Sequence, residues 1–501
     1  MLCAVADRDA YSNLILPATL AQRGLTGRDA ALATELTYGT LRGTGTYDAV
    51  LAICSDRDLD TLEPAVRQVL RLGTHQLLST RVAAHAAVAT SVDLVRDVVG
   101  PRPAGFVNAI LRRVATRDLA AWLEIAAPSR ADDLAGHLAV RYSHPRWIVT
   151  ALAEALAGTA SGTVLAAETV LAEETVLAEE TVLAETEAAL AADNERPQVT
   201  LCVVPGLAGA TELTAAGASP ARWSEFGAYL DEGDPAQVAA VAQGRAGVQD
   251  EASQLAAIAL ARLDVPGDDS RWLDLCAGPG GKARLLAGLA ARNRARLVAA
   301  ELRPHRARLI QSATAKITAP AEITGPATTS VAGRAVAPAS RRAATRSVPA
   351  HKNRAAGVVV ADGTQPAWRP GSFDRVIADV PCTGLGALRR RAEARWRRSP
   401  DSIEGLGSLQ RRLLTTALDS VRPGGVVAYV TCSPHLAETR DVLADVLGGR
   451  DDIEVLDAPA VLAEVPGLAC RGADSRYAQF WPHRHGTDAI FLALLRRGQG
   501  A

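Results

Sequence analysis

The chain has 501 residues, a formal net charge of −1 at pH 7 and 48% hydrophobic residues. That length is enough for two or three domains with cores of their own, and the balanced charge excludes a bulk electrostatic pull towards nucleic acid. Seven cysteines, at 3, 54, 202, 276, 382, 432 and 470, form no CxxC pair and no metal-ligand spacing with histidine, which argues against a zinc centre or a disulfide scaffold and fits a reducing cytoplasm.

The opening MLCAVADRDAYSNL carries charges where a secretion signal needs an apolar stretch, and no run of about 18 apolar residues follows. A cytoplasmic protein with no membrane partner and no metal is expected. From about residue 7 to 126, apolar positions recur at three and four, as in Leu14, Leu16 and Leu20, then Leu32, Leu36 and Leu41. Breaks fall at Gly24–Gly27, Gly43–Gly45 and Gly100–Gly105. This periodicity predicts an all-helical bundle over 1–128. Residues 129–245 are mixed, with a strand candidate at Val199–Val204, and predict a small α/β middle region.

Within that region, TVLAAE-TVLAEE-TVLAEE-TVLAET runs from Thr163 to Thr186 with period six. Six residues of helix turn about 600°, so each Val-Leu pair is displaced by about 120° from the one before. No single apolar face results, and a helix lengthened by repeat expansion is expected rather than a heptad coiled coil. Its glutamates would repel phosphate, so it should point away from any RNA.

From Arg271 the pattern alternates between strand and helix, with strands expected at 271–277, 296–302, 356–362, 373–379, 425–431, 453–458 and 489–495. Alternation of this kind predicts a Rossmann-like α/β domain over 246–501 with a mainly parallel seven-stranded sheet. One segment cannot contribute to a core: residues 317–354 are rich in Ala, Pro, Thr, Ser and Arg and read as a mobile excursion between strands.

The stretch LDLCAGPGGK puts Gly278, Gly280 and Gly281 between a buried strand and a helix, where a ligand can approach main chain and unpaired N–H groups. Glu301 ends the next strand, where a carboxylate can take both hydroxyls of a ribose. Asp362 closes the third strand, within reach of an adenine. Position 283 is alanine, so the third glycine of GxGxxG is missing, and the spacing is wrong for a Walker A loop. An adenosine cofactor without a diphosphate, S-adenosylmethionine, fits the pattern.

Two cysteines follow complete strands, in DVPCTG (379–384) and VTCSP (430–434). Carbon 5 of cytosine is a poor nucleophile, and a thiolate adding at carbon 6 makes it able to attack a sulfonium methyl group. Release then requires loss of the carbon-5 proton and of the sulfur, so a second group is useful. The residues alone leave open which cysteine adds, because Cys382 follows proline in a PC dipeptide as in DNA enzymes of related chemistry.

With VQDEAS (248–253), Glu301, ADG (361–363), RWRRSP (395–400) and PGG (423–425), these motifs resemble the Nop2/Sun family of RNA cytosine-5 methyltransferases. The N-terminal DAYSNLILP, ELTYGTLR and GFVNAILRRV are similar to the NusB-like domain of its bacterial small-subunit rRNA branch, the RsmB (Sun/Fmu) type. The resemblance implies Cys432 as nucleophile, Cys382 as the group assisting release and Asp379 as a residue near both cofactor and base. It implies S-adenosylmethionine binding by Cys276, Ala277, Gly278, Pro279, Gly280, Gly281, Lys282, Glu301, Asp362 and Asp379. The implied activity is methylation of carbon 5 of a cytosine in 16S rRNA by a monomer. A tRNA or another rRNA site, or a non-catalytic assembly factor, are the alternatives.

A target base must be unpaired or flipped out to meet a thiolate. Arg389, Arg390, Arg391, Arg395, Trp396 and Arg397 combine charge with a stacking surface and are the RNA-binding candidates. Arg67, Arg71, Arg112 and Arg113 are further candidates in the helical part. Relative to the family pattern, the chain begins inside the first helix, which suggests a misplaced start or a short truncation, and has Ala392 where many relatives carry proline.

Overall fold

The computed structural model describes residues 1–7, 11–158, 173–318, 355–471 and 475–499. The expected excursion at 317–354 and the first part of the hexad repeat therefore lie almost wholly outside the described residues. The chain divides into two compact units, one of Met1–Pro197 with Ala387–Pro400, the other of Gln198–Gly386 with Asp401–Ala501. The division cuts through the middle region expected at 129–245, and it gives a 14-residue piece of the expected methyltransferase domain to the helical unit.

The first unit is helical, as its periodicity predicts. Helices run over Ser12–Gln22, Gly27–Arg42, Thr44–Cys54, Pro64–Ser79, Ala84–Val98 and Ala104–Val114. Three interruptions fall at the expected glycines, while those at 55–63 and 80–83 contain none and are not among the expected breaks. In Pro64–Ser79 the buried residues include Val66, Val69, Leu70 and Gly73, a three-and-four stripe. Gly73 permits a close helix approach, since a methyl there would stand 2.6 Å from a Leu111 methyl carbon. The core gathers Val50, Leu51, Leu70, Val107 and Leu111.

The hexad repeat ends in a helix, Glu173–Ala192. Among its described side chains, Val182, Thr186, Ala189, Leu190 and Ala192 are buried, the last three beyond the repeat.

The second unit holds two sheets. Strands β1 (Val199–Val203), β2 (Ser219–Pro220), β3 (Gly227–Leu230) and β4 (Ala246–Val248) form an antiparallel sheet in the order β2-β3-β1-β4. The larger sheet comprises β5 (Arg271–Asp274), β6 (Arg296–Glu301), β7 (Ala356–Val360), β8 (Phe373–Asp379), β9 (Val421–Thr431), β10 (Ile453–Leu456), β11 (Ala478–Gln479) and β12 (Phe491–Arg497). Its order is β10-β12-β9-β8-β5-β6-β7, with β11 paired to β12. The five strands β9-β8-β5-β6-β7 are parallel, and β10, β11 and β12 pair antiparallel.

The sheet is therefore mixed and has one short strand more than expected. Buried parallel strands read as continuous apolar runs, which is why β8 and β9 are plain in the sequence, whereas the two-residue β11 leaves no periodic trace. Strand order reverses beside β5: the chain moves outward to β6 and β7, then returns to β8 on the other side. A reversal of this kind opens a crevice at the carboxyl ends of the strands.

Candidate active site

All five parallel strands end at that crevice. Register pairs Asp274 with Ala299 and Ile377, Glu301 with Val360, and Asp379 with Val430. The turns carrying the glycine loop, Glu301, Asp362, Cys382 and Cys432 are thus brought to one edge.

The loop after β5 is built for close approach. A methyl on Gly278 would stand 1.9 Å from Oε2 of Glu301, and Gly280 has φ of +114° where it caps helix Gly281–Arg292. Any side chain at Gly278 would displace Glu301, and L residues rarely adopt the φ of Gly280. Glu301 is 8% exposed and accepts the Arg303 N–H at 2.8 Å, which fixes its carboxylate beside the loop. Asp362 accepts from the N–H and hydroxyl of Thr364 at 2.9 and 2.8 Å.

Lys282 Nζ donates to Asp379 Oδ2 at 2.9 Å. Burial alone would discharge this lysine, but the Asp379 carboxylate outweighs it and holds the ammonium above its ordinary pKa. Beneath lies Asp274, 1% exposed. Burial, then the charge of Asp379, push its carboxyl up to about 8, so it is a neutral acid at pH 7.

The two thiols face each other, Cys382 Sγ to Cys432 Sγ at 3.3 Å. They do not share protons evenly. Cys432 is held below the ordinary thiol value, first by the hydrogen bond from Cys382 and also by the Lys282 ammonium; Cys382 is pushed well above it by that same bond, by burial and by the Glu438 carboxylate. Cys432 is thus the more acidic thiol of the pair, with Cys382 favoured as the donor between them. Cys276 is driven far upward by burial.

Residues that sequence reasoning missed hold this pair. The Glu438 carboxylate, wholly buried, accepts the Thr383 N–H at 2.7 Å, the Thr383 hydroxyl and the Gln410 amide at 3.1 Å. Gln410 also donates to Pro381 O at 2.9 Å, and the Thr383 and Ser433 hydroxyls meet at 3.1 Å, tying the two turns together. Gly386 donates to Cys432 O at 2.9 Å and lies so close to Ala489 O that a methyl would come within 1.9 Å. Thr383 and Ser433 at least lie inside the cysteine motifs; Gln410 and Glu438 give no local signal.

The arginine stretch departs from expectation. Arg395 is wholly buried in the helical unit, donating to Asn194 Oδ1 and Asp193 O at 2.7 Å each, Ser143 O at 3.1 Å and Arg42 O at 3.3 Å. Both terminal nitrogens are taken by these acceptors, and the buried group is closed to phosphate. Arg389 is buried as well. Arg397 donates to Val5 O at 2.6 Å, and it and Arg391 lie over the Tyr11 ring. Trp396 is 43% exposed and Arg390 half-buried, so these retain an outward surface. Ala392 packs with Val5 and Leu41. Of the other candidates, Arg67 pairs with Asp60, Arg71 with Asp48, and Arg113 with Cys54 O.

Among the described residues, no helix is long and apolar enough to cross a membrane. A profile of the 16S rRNA methyltransferase RsmB/F family matches residues 261–330 and 333–496, and a NusB family profile matches 1–116. A Mycobacterium tuberculosis protein whose name says only methyltransferase is 46% identical over 99% of this chain and 94% of its own. Ribosomal RNA small subunit methyltransferase B of Vibrio cholerae is 26% identical, covering 99% and 95%, and that of Pseudomonas putida 28%, covering 99% and 96%. The solved structure of PH0851 matches 97% of this chain and 96% of its own with a TM-score of 0.69 at 20% identity, which places the fold. The chain belongs to the RsmB/F family of 16S rRNA methyltransferases, S-adenosylmethionine-dependent enzymes acting on RNA, with a NusB-type region at its N-terminus.

Proposed function

We propose that this protein methylates carbon 5 of one cytosine in 16S rRNA, as a monomer in the cytoplasm, through a covalent adduct at carbon 6. The observation that carries the reading is the 3.3 Å Cys382–Cys432 pair, with Cys432 lowered and Cys382 raised from the ordinary thiol value, beside Lys282 and Asp379. Residues 276–282, Glu301, Asp362 and Asp379 hold the cofactor; the loop glycines and the fixed Glu301 carboxylate leave the main chain open to a nucleoside. When bound, S-adenosylmethionine supplies the electrophilic methyl group.

The Cys432 thiolate adds to carbon 6, forming the C–S bond and placing electron density on carbon 5. Asp379, oriented by Lys282, lies near the same edge and serves to position the base. Once carbon 5 has bonded to the methyl group and a base has taken its proton, the ring double bond returns and the C–S bond breaks. The electron pair goes back to Cys432, and the Cys382 S–H stabilises the departing thiolate by donating to it. Glu438 and Gln410 keep Cys382 in place throughout. Trp396 and Arg390 are the members of the arginine stretch suited to RNA, together with Arg112 in the helical region.

Bisulfite sequencing of 16S rRNA from cells with and without the gene should show one cytosine losing protection in its absence. Unchanged protection across the molecule would remove the 16S assignment. With purified protein, Cys432→Ala should abolish both methylation and covalent RNA attachment, while Cys382→Ala should slow release and accumulate adduct. An adduct formed by the Cys432 variant and not by the Cys382 variant would reverse the roles.

A further inference from the structure

The VQDEAS stretch has no role in the chemistry above, and its two acids are spent on structure. Asp250 caps helix Glu251–Arg262 by accepting the Ala252 N–H at 3.0 Å, and its other oxygen accepts the Asp488 N–H at 3.0 Å. Glu251 accepts the N–H groups of Trp223 and Ser224 at 2.5 and 2.7 Å.

Gln249 differs. Its main-chain N–H donates to Thr200 O at 3.0 Å, which fixes it at the end of β4, and the residue is 6% exposed. The side-chain nitrogen has one long contact, 3.4 Å to Ser253 Oγ, while Oε1 is buried without a partner. A buried acceptor left without a donor is unfavourable, and such groups in a native fold call for an explanation.

The amide lies against the start of helix Gly281–Arg292. A methyl built on Gly281 would come 3.8 Å from Gln249 Cδ and 4.0 Å from Oε1, and nothing stands closer. An unpaired buried acceptor thus lies against the first turn of this helix, whose leading N–H groups have no partner within the helix. That pairing of opposite polarities fits a zwitterion. The amino-acid end of the methyl donor carries an ammonium and a carboxylate on one carbon, while Glu301 at the neighbouring strand end suits its ribose.

We propose that Gln249 is a cofactor-positioning residue, its Oε1 accepting a hydrogen bond from the α-ammonium of S-adenosylmethionine while the helix start meets the carboxylate. The assignment rests on the cofactor loop described above and adds a residue from outside it. It predicts that Gln249 reads the amino-acid end and is indifferent to the nucleoside.

Calorimetric titration of the full chain with S-adenosylhomocysteine and with 5′-methylthioadenosine separates these ends, because the second lacks the amino-acid carbon and its charges. Gln249→Met keeps the length and apolar stem and removes the acceptor. The variant should bind S-adenosylhomocysteine about tenfold more weakly, the loss of one hydrogen bond of about 1.4 kcal/mol, and 5′-methylthioadenosine within twofold of the parent. Gln249→Ala should follow the same pattern if its thermal midpoint is kept. Equal weakening of both ligands would make Gln249 a packing residue and overturn the proposal, as would unchanged S-adenosylhomocysteine binding. Failure of the parent chain to bind either ligand would instead overturn the loop assignment on which the proposal stands.

Discussion

Arg395 offers the sharpest test of how the arginine stretch works. Its guanidinium donates to four acceptors in the helical unit, three of them main-chain carbonyls, and burial lowers its pKa only to about 10, so it stays charged at pH 7. Arg395→Ala would leave those acceptors buried and unpaired. At about 1 kcal/mol or more for each of the three shorter bonds, the floor is about 3 kcal/mol, and the range for removing one partner of a buried charged network is about 3–5 kcal/mol. With a urea slope of about 2 kcal/mol/M, the midpoint of helical unfolding should fall by roughly 2 M. Arg395→Lys keeps the charge and loses the planar fork, and should fall about half as far. Far-UV circular dichroism follows the helical unit, and RNA affinity measured against salt supplies the second reading, since each lost phosphate contact lowers the log–log slope by about 0.7 for single strands. An unchanged midpoint with a reduced salt slope would refute the structural role and return Arg395 to the RNA surface.

Two further outcomes follow from the cofactor loop. Gly278→Ala places a methyl 1.9 Å from Glu301 Oε2, so it should lower affinity for S-adenosylhomocysteine by at least tenfold, with the helical unit's unfolding unchanged; equal affinity would mean the loop does not depend on that approach. Asp274 has its pKa raised to about 8 by burial and by Asp379. A raised acid is protonated in the fold and ionised in the unfolded chain between about pH 4 and pH 8, so wild-type stability should decline as pH climbs through that window. Asp274→Asn should flatten the decline, read as thermal midpoints from pH 5 to pH 8, and parallel curves for the two proteins would show that Asp274 is ionised in the fold.

What the sequence exposes and what it hides divide along a physical line. β8 and β9 are legible because a parallel strand buried on both faces must be a continuous apolar run. The glycine loop is legible because Gly278 and Gly280 have no substitute at a close approach and a positive φ. Cys382 and Cys432 are visible because each immediately follows such a strand, although their 3.3 Å separation and their opposite pKa shifts depend on groups from other segments, Lys282 and Glu438 among them.

The arginine stretch shows the opposite limit. Six arginines in ten residues carry a charge that any reader can count, but their burial is decided by partners far along the chain. Arg395 meets Ser143 and Asp193 across 252 and 202 residues, and both partners offer main-chain oxygens, which every residue type possesses. No pattern of side chains could announce them. Glu438 is hidden for a related reason, since its turn-clamping partner Thr383 lies 55 residues away. Gln249 is the intermediate case: VQDEAS is recognisable as a motif, but only the fold shows that Asp250 and Glu251 are satisfied by the protein itself while the Gln249 carbonyl is not. A polar residue within a recognised motif whose end the fold leaves unpaired is therefore the place to look for a ligand, and a charged residue that the fold has buried with both terminal nitrogens bonded to its own acceptors is a poor one, however suggestive its neighbours.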